Sequence, residues 1–323
     1  MGTILALAAA VLYGSADFLG GAAARRARPV SVLVVTTAAG ATAVVLAALL
    51  IGLAGLGGHG PGALTSLAGP AGLAWGALAG VTGVIGLLLF YLGFSVAPMS
   101  VVAPVSALAS TLLPLGVALG QGERLGPGVI AGGALCLIAV VLISLERRPD
   151  EAAARRSLAY RLRGAGFGLA SGVMFGLFFL FLRNAGTSGV LWPVALARIT
   201  GAVLACAVWL LARGPLARSL RILDPQPPEP PEPPEPRDPH AGPGGGLRAV
   251  LPIALASGSV DATANICYVL ATRDGLFGVA VVITALYPGM TVLLARFVLG
   301  ERMRRIQRAG LLLAALGVIL VTI

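Results

Sequence analysis

Long apolar stretches separated by short polar ones run the length of the chain. Ten windows stand out, at 2–22, 30–53, 70–94, 99–120, 126–145, 164–182, 190–211, 249–270, 277–299 and 306–323. Each is close to the roughly 20 apolar residues an α-helix needs to cross the hydrocarbon core of a bilayer. The pattern predicts an all-α polytopic membrane protein with ten transmembrane helices. Ala22-Ala23-Ala24 resembles the small-residue cleavage site of a secretory signal, but no basic residue precedes the apolar run, so the first window is read as a retained span.

The windows form a unit written twice. VSALASTLLPLGVALGQGER (105–124) lies over ITALYPGMTVLLARFVLGER (283–302) at a constant spacing of 178, matching Gly122-Glu123-Arg124 with Gly300-Glu301-Arg302. LALAAAVLYG (5–14) lies over FGLASGVMFG (167–176) at a spacing of 162. The division is therefore a first five-helix repeat over 1–145, a basic connection at 146–163 and a second repeat over 164–323. The extra residues of the second copy fall at 213–248, where PPEPPEPPEP (227–236) favours polyproline II. That segment reads as a solvated, semi-rigid spacer about 30 Å long. An odd number of spans per copy inverts the second copy relative to the first, the arrangement that recurs in secondary transporters with a substrate site near the midplane.

Glycines four apart, Gly164, Gly168, Gly172 and Gly176 in the sixth window and Gly76 and Gly80 in the third, predict close helix contacts. Pro98, Pro104, Pro114 and Pro288 predict kinks or backbone groups opened toward a cavity.

Composition narrows the chemistry. Hydrophobic residues make up 57% of the 323, charged residues only 11%, and mean hydropathy is +0.93, against roughly 25% charged in soluble domains. The net charge of +10 comes from arginines at the ends of spans, where lipid headgroups and topology account for it and nucleic acid does not. All 23 basic residues are arginine, so a P-loop lysine, a Schiff base or a lysine nucleophile is excluded. Cys136, Cys206 and Cys267 fall inside apolar windows and read as packing residues. No cofactor is expected. Both histidines, His59 and His240, lie between spans, which rules out a His-based metal site or serine triad within the membrane.

Charges well inside the windows are few: Asp17, Arg198, Asp261 and Arg296. At 1.5 Å per residue, Arg198 and Asp261 lie near the centres of their spans, Asp17 about 7 Å off centre, and Arg296 close enough to its span end to snorkel. Intramembrane ionisable groups are functional-site candidates by default. Asn265 stands four residues after Asp261 on the same helix face, with Tyr268 on the adjacent turn, and Tyr13 stands four residues before Asp17. Arg198 and Asp261, on consecutive antiparallel spans, are expected to pair, with an anionic substrate competing for the guanidinium. Asp17, without a cationic partner, is the expected proton carrier. Glu123 and Glu301, at span boundaries, read as capping or interface residues.

These features resemble the drug/metabolite transporter superfamily, specifically its EamA-type members, over all but the 213–248 linker. The most specific piece is the proline-bearing helix that closes in Gly-Glu before a Gly-containing last span: Pro288 through Gly300-Glu301 to Gly310, and Gly122-Glu123 to Gly132 in the first copy, where Ser110 replaces the proline. Arg198 matches the arginine such proteins tend to carry in the second span of a repeat; Thr36 occupies that position in the first copy. The resemblance implies export or uptake of a small metabolite or drug by a secondary transporter in the cell membrane, with export favoured here, while the proton is a candidate coupling ion on account of Asp17. It leaves the substrate, the direction of transport, the coupling ion and the oligomeric state open.

Two rival classes are weaker. An intramembrane aspartyl enzyme would use the two aspartates together, but neither sits in the Gly-x-Gly-Asp setting of such proteases. A receptor or scaffold has only the Pro-Glu linker in its favour. Eighteen arginines lie in or beside odd-numbered connections and three in even-numbered ones, which predicts termini outside the cell; the family resemblance implies cytoplasmic termini.

Overall fold

The computed structural model describes residues 1–24, 27, 29–54, 69–96, 99–123, 126–144, 158–186, 189–213, 246–274, 277–287, 289–290, 293–294, 298 and 305–322. Among them every regular element is helical: α1 (Gly2–Ala24), α2 (Pro29–Leu53), α3 (Pro70–Val96), α4 (Met99–Gly120), α5 (Pro127–Ser144), α6 (Leu158–Gly186), α7 (Leu191–Arg213), α8 (Gly246–Asp274), α9 (Phe277–Thr284) and α10 (Arg305–Thr322). Helices are what a lipid-embedded chain forms, because each backbone N–H and C=O must then be satisfied within its own segment. The expected Arg296, Glu301, Pro98, Pro288, His59, His240, the connection 146–157 and linker residues 214–245 lie outside the described residues.

Six helices, α1, α2, α3, α6, α7 and α8, are long and apolar enough to cross a membrane, while α4, α5 and α10 carry shorter apolar segments at Val105–Gly120, Pro127–Ala139 and Arg308–Leu320. The count of full-length spans among the described residues is thus lower than the ten windows. The ninth window differs most. Its first helix ends at Thr284 and passes into a turn at 285–286, where the Leu286 N–H bonds Ile283 O at 3.2 Å in a tighter, three-residue pattern. The sequence supplies a reason, since the residue four positions after Thr284 is a proline, which has no N–H to continue the helix.

The largest interfaces are α3 with α6, α1 with α8, α5 with α10 and α4 with α6, followed by α2 with α7, α2 with α8 and α3 with α7. Exchanging α1–α5 in order for α6–α10 turns α3/α6 into α8/α1 and α2/α8 into α7/α3, and leaves α5/α10 and α2/α7 unchanged.

Small residues set these crossings. A Cβ on Gly168 would come within 2.8 Å of Val102 O, one on Gly172 would collide with Ser106 O, and one on Gly176 would meet Leu113 Cβ at 3.2 Å, so the predicted glycine row seats α6 on α4. A Cβ on Gly76 would lie 2.8 Å from Pro193 O and one on Gly80 would strike Ala197 O, which seats α3 on α7. Gly258 has the same relation to Thr36 O, seating α8 on α2. Without a hydrophobic drive between helices in lipid, such close backbone approach is a main source of packing energy.

At one end of the bundle the helices are tied by polar contacts. α4 closes with Gly122 at φ +85, and the bonds Glu123 N to Ala118 O (3.1 Å) and Gly122 N to Leu119 O (3.0 Å) form a Schellman cap. The cap directs Glu123 to α9, where its Oε1 accepts from Gly278 N at 2.9 Å, an acid at a helix N-terminus. This is the capping role expected of Glu123. Beside it Arg183 of α6 donates to Gln121 Oε1 at 2.9 Å and lies over the Phe277 ring at 4.0 Å.

Candidate functional site

The ion pair expected between α7 and α8 is present: Arg198 Nη1 meets Asp261 Oδ2, with the two side chains only 14% and 31% exposed. The stem of Arg198 passes along α2 where Gly40 leaves room; a Cβ there would lie 3.6 Å from Arg198 Cδ and 2.9 Å from Gly258 O. The glycines that bring α2 against α8 therefore also make the slot that leads the guanidinium to Asp261. Arg198 Nη2 points at the Asp261 carbonyl at 3.4 Å.

Asn265 holds the next layer. Its Nδ2 donates to the same Asp261 carbonyl at 2.6 Å, and its Oδ1 accepts from the Tyr13 hydroxyl at 2.7 Å. Asn265 is fully buried and Tyr13 7% exposed, so this bond between α1 and α8 is made where water cannot replace it. Helical spacing suggested that Tyr13 serves Asp17; its hydroxyl instead reaches across to α8. A second tie between the same helices, Ser257 Oγ to Ala16 O at 2.8 Å, fixes their register.

Asp17 is half-buried, one turn beyond Tyr13. It has no hydrogen bond or ion pair among the described residues, and it lies within Coulomb range of Asp261 and Tyr287. Tyr268 does not extend the Asp261 pocket. Its ring packs on Phe179 with centroids 4.8 Å apart, its hydroxyl faces Phe179 O at 3.5 Å, and it walls an adjacent cavity. Phe179 also meets the edge of Tyr13 at 5.7 Å, and Tyr13 meets Tyr287 at 6.4 Å. The structure thus brings Tyr13, Arg198, Asp261 and Asn265 into one network and sets Asp17 and Tyr268 at its margins.

Sequence reasoning did not single out Phe179, Ser257, Thr284 or Tyr287. Ser257, Thr284 and Tyr287 are polar residues within apolar windows, a signal that was present but common to packing residues. Among the described residues no group of three His, Cys, Asp or Glu side chains is placed to hold a metal ion. What the network offers is a guanidinium with a planar donor fork, held by a carboxylate.

The model of the EamA-like transporter family matches residues 162–323, half of the chain, including Arg198, Asp261 and Asn265 but not Tyr13 or Asp17. One solved chain, described only as a crystal structure of a protein, superposes with a TM-score of 0.68 at 18% identity, covering 99% of this chain and 96% of its own. That similarity is one of fold. The search of curated proteins finds no match. With a family model spanning half its length and a bundle of membrane-length apolar helices, the chain belongs to the EamA-like transporter family.

Proposed function

We propose that the protein exports a small solute by alternating access, driven by a gradient, with two five-helix repeats of opposite orientation rocking about the Arg198–Asp261 site. The observation that carries this reading is the ion pair and its Asn265–Tyr13 support, which link α1 of the first repeat to α7 and α8 of the second. Charges in the interior of a lipid-embedded bundle are costly and are retained where they do work. The interchangeability of the helix pairings between 1–145 and 164–323 supports inverted repeats.

In this reading a solute carboxylate or phosphate takes the guanidinium bidentately and displaces Asp261, and return of Asp261 to Arg198 accompanies release. Asp17, near Asp261 but outside the ion pair, carries the coupling proton. The arginine-rich odd connections face the cytoplasm of the cell membrane.

The test is purified protein in lipid vesicles with an imposed pH gradient, screened with small carboxylates and phosphates. Flux above that of empty vesicles, lost in Arg198→Ala, is the expected result. A well-folded protein that moves no solute in the panel in either direction would sink the proposal.

A further inference from the structure

Beside the network, among α4, α6, α8 and the end of α9, is a cavity with room for about one water molecule. Ser110, Thr111, Phe179, Tyr268, Thr284 and Tyr287 line it. Three of its hydroxyls have acceptors: Ser110 and Thr111 bond Ala107 O at 3.0 and 2.8 Å, and Tyr268 faces Phe179 O. Thr284 does not. Its side chain is 2% exposed and its Oγ1 has no partner among the described residues. Buried hydroxyls are almost always satisfied, so an open one on a cavity wall points to an occupant.

Two features of the chain explain why Thr284 is open. At the repeat spacing of 178 it corresponds to Ser106, which accepts from Ser171 Oγ at 2.9 Å across the α4–α6 contact. At the spacing of 162 Ser171 corresponds to Ala9, so the second copy lacks the donor that satisfies the first. In addition, Pro288 cannot provide the N–H that the Thr284 carbonyl would receive in a continuous helix. Thr284 therefore presents an unpaired hydroxyl at the point where α9 ends.

We infer that Thr284 is a hydrogen-bonding subsite for a single donor group, occupied by water while the cavity is small and by a hydroxyl, amide or amino group of the solute when it widens. The solute part rests on the transport reading above. The open hydroxyl can accept from such a group, and the Phe179 and Tyr268 rings beside it favour an apolar frame around that donor. This chemistry complements Arg198, which selects an anion.

The experiment uses the full chain with its three cysteines replaced by alanine, in lipid vesicles, carrying either Thr284→Cys or Ser106→Cys. The probe is the small thiol reagent methanethiosulfonate ethylammonium. Thr284→Cys is expected to react about tenfold or more faster than Ser106→Cys, whose native hydroxyl is paired and dry. Equal rates overturn the subsite. So does a Thr284→Val variant that melts higher than the parent, because removing a dry, unpaired hydroxyl relieves a penalty whereas removing a hydrated one does not. Neither readout needs a solute, so both are independent of whether transport occurs. In vesicles that move a solute, Thr284→Val should raise KM about tenfold for a solute with a donor group and leave an analogue without it unchanged; equal KM values for both would reduce the site to a water position and overturn the solute part.

Discussion

Arg198→Ala tests whether the ion pair holds the bundle together or only occupies it. Removing one partner of a fully buried pair costs about 3–5 kcal/mol, because a desolvated charge is left behind. Here Asp261 is 31% exposed, so partial hydration lowers the expected cost to about 2–3 kcal/mol. The double variant with Asp261→Ala removes both charges. It keeps the Asn265 bond to the residue-261 carbonyl, a backbone group that the substitution does not touch, and should cost only about 1 kcal/mol. At about 2–4 °C per kcal/mol for a chain of this size, the single variant should melt roughly 6 °C below the parent in detergent and the double about half that. Asp261→Ala strands the 14% exposed Arg198 and should cost about as much as Arg198→Ala, so a double-mutant cycle on melting temperatures should show the double variant losing about 3–5 kcal/mol less than the two single losses together. Transport should be absent in both variants, since each lacks the guanidinium, and Arg198→Lys, which keeps charge but not the planar fork, should retain a small fraction. Additive stability losses would refute the pairing as a structural element. Full transport in the double variant would refute it as the substrate contact.

Three further outcomes follow from other parts of the fold. Gly258→Leu should abolish monodisperse protein on size-exclusion chromatography, because its Cβ alone collides with Thr36 O, whereas Gly21→Ala, with nothing within 4 Å, should be neutral. Glu123→Ala removes the acceptor at Gly278 N and should cost about 1 kcal/mol, read as a drop in melting temperature, with the loss shrinking in Glu123→Gln, which keeps an acceptor. Asp17→Asn should eliminate accumulation driven by a pH gradient while leaving solute exchange, and an unchanged pH profile in that variant would remove Asp17 as the proton carrier.

Most of the helical layout was legible because membrane solvation makes apolar run length a direct signal, and the windows anticipate nine of the described helices to within about four to six residues at either end. The Arg198–Asp261 pair was legible for a related reason: few charges lie deep in the windows, and these two share a depth. Tyr13 was less so. Its position relative to Asp17 follows from helical spacing, but its partner is set by how α1 crosses α8, which Ser257 and the small residues along both helices decide. The break at Thr284 was visible only as Pro288, since a proline in an apolar run signals a kink without saying which carbonyl it frees or what faces it.

The same spacings show why the ion-pair network is found at one position and not at its counterpart. Tyr13 and Asp17 correspond to Phe175 and Phe179, Arg198 to Thr36, and Asp261 to Gly83. Where the polar network would recur, the corresponding residues of the two copies carry no charge: Thr36 bonds its own helix at Leu33 O, Gly83 lies against the Phe178 ring at a distance where a Cβ would be 2.9 Å away, and Phe175 packs edge-on to Phe90 with centroids 5.9 Å apart. The close crossings Gly80 on Ala197 and Gly258 on Thr36 recur at the spacing of 178, as the proposed exchange of access states would require. The side chains break that symmetry, placing an aromatic, dry contact in one half and an ion pair in the other. In the proposed alternating-access cycle, rocking would change the surroundings of a single guanidinium. The apolar mate site would impose no second electrostatic barrier on that motion, because it has no charge to desolvate.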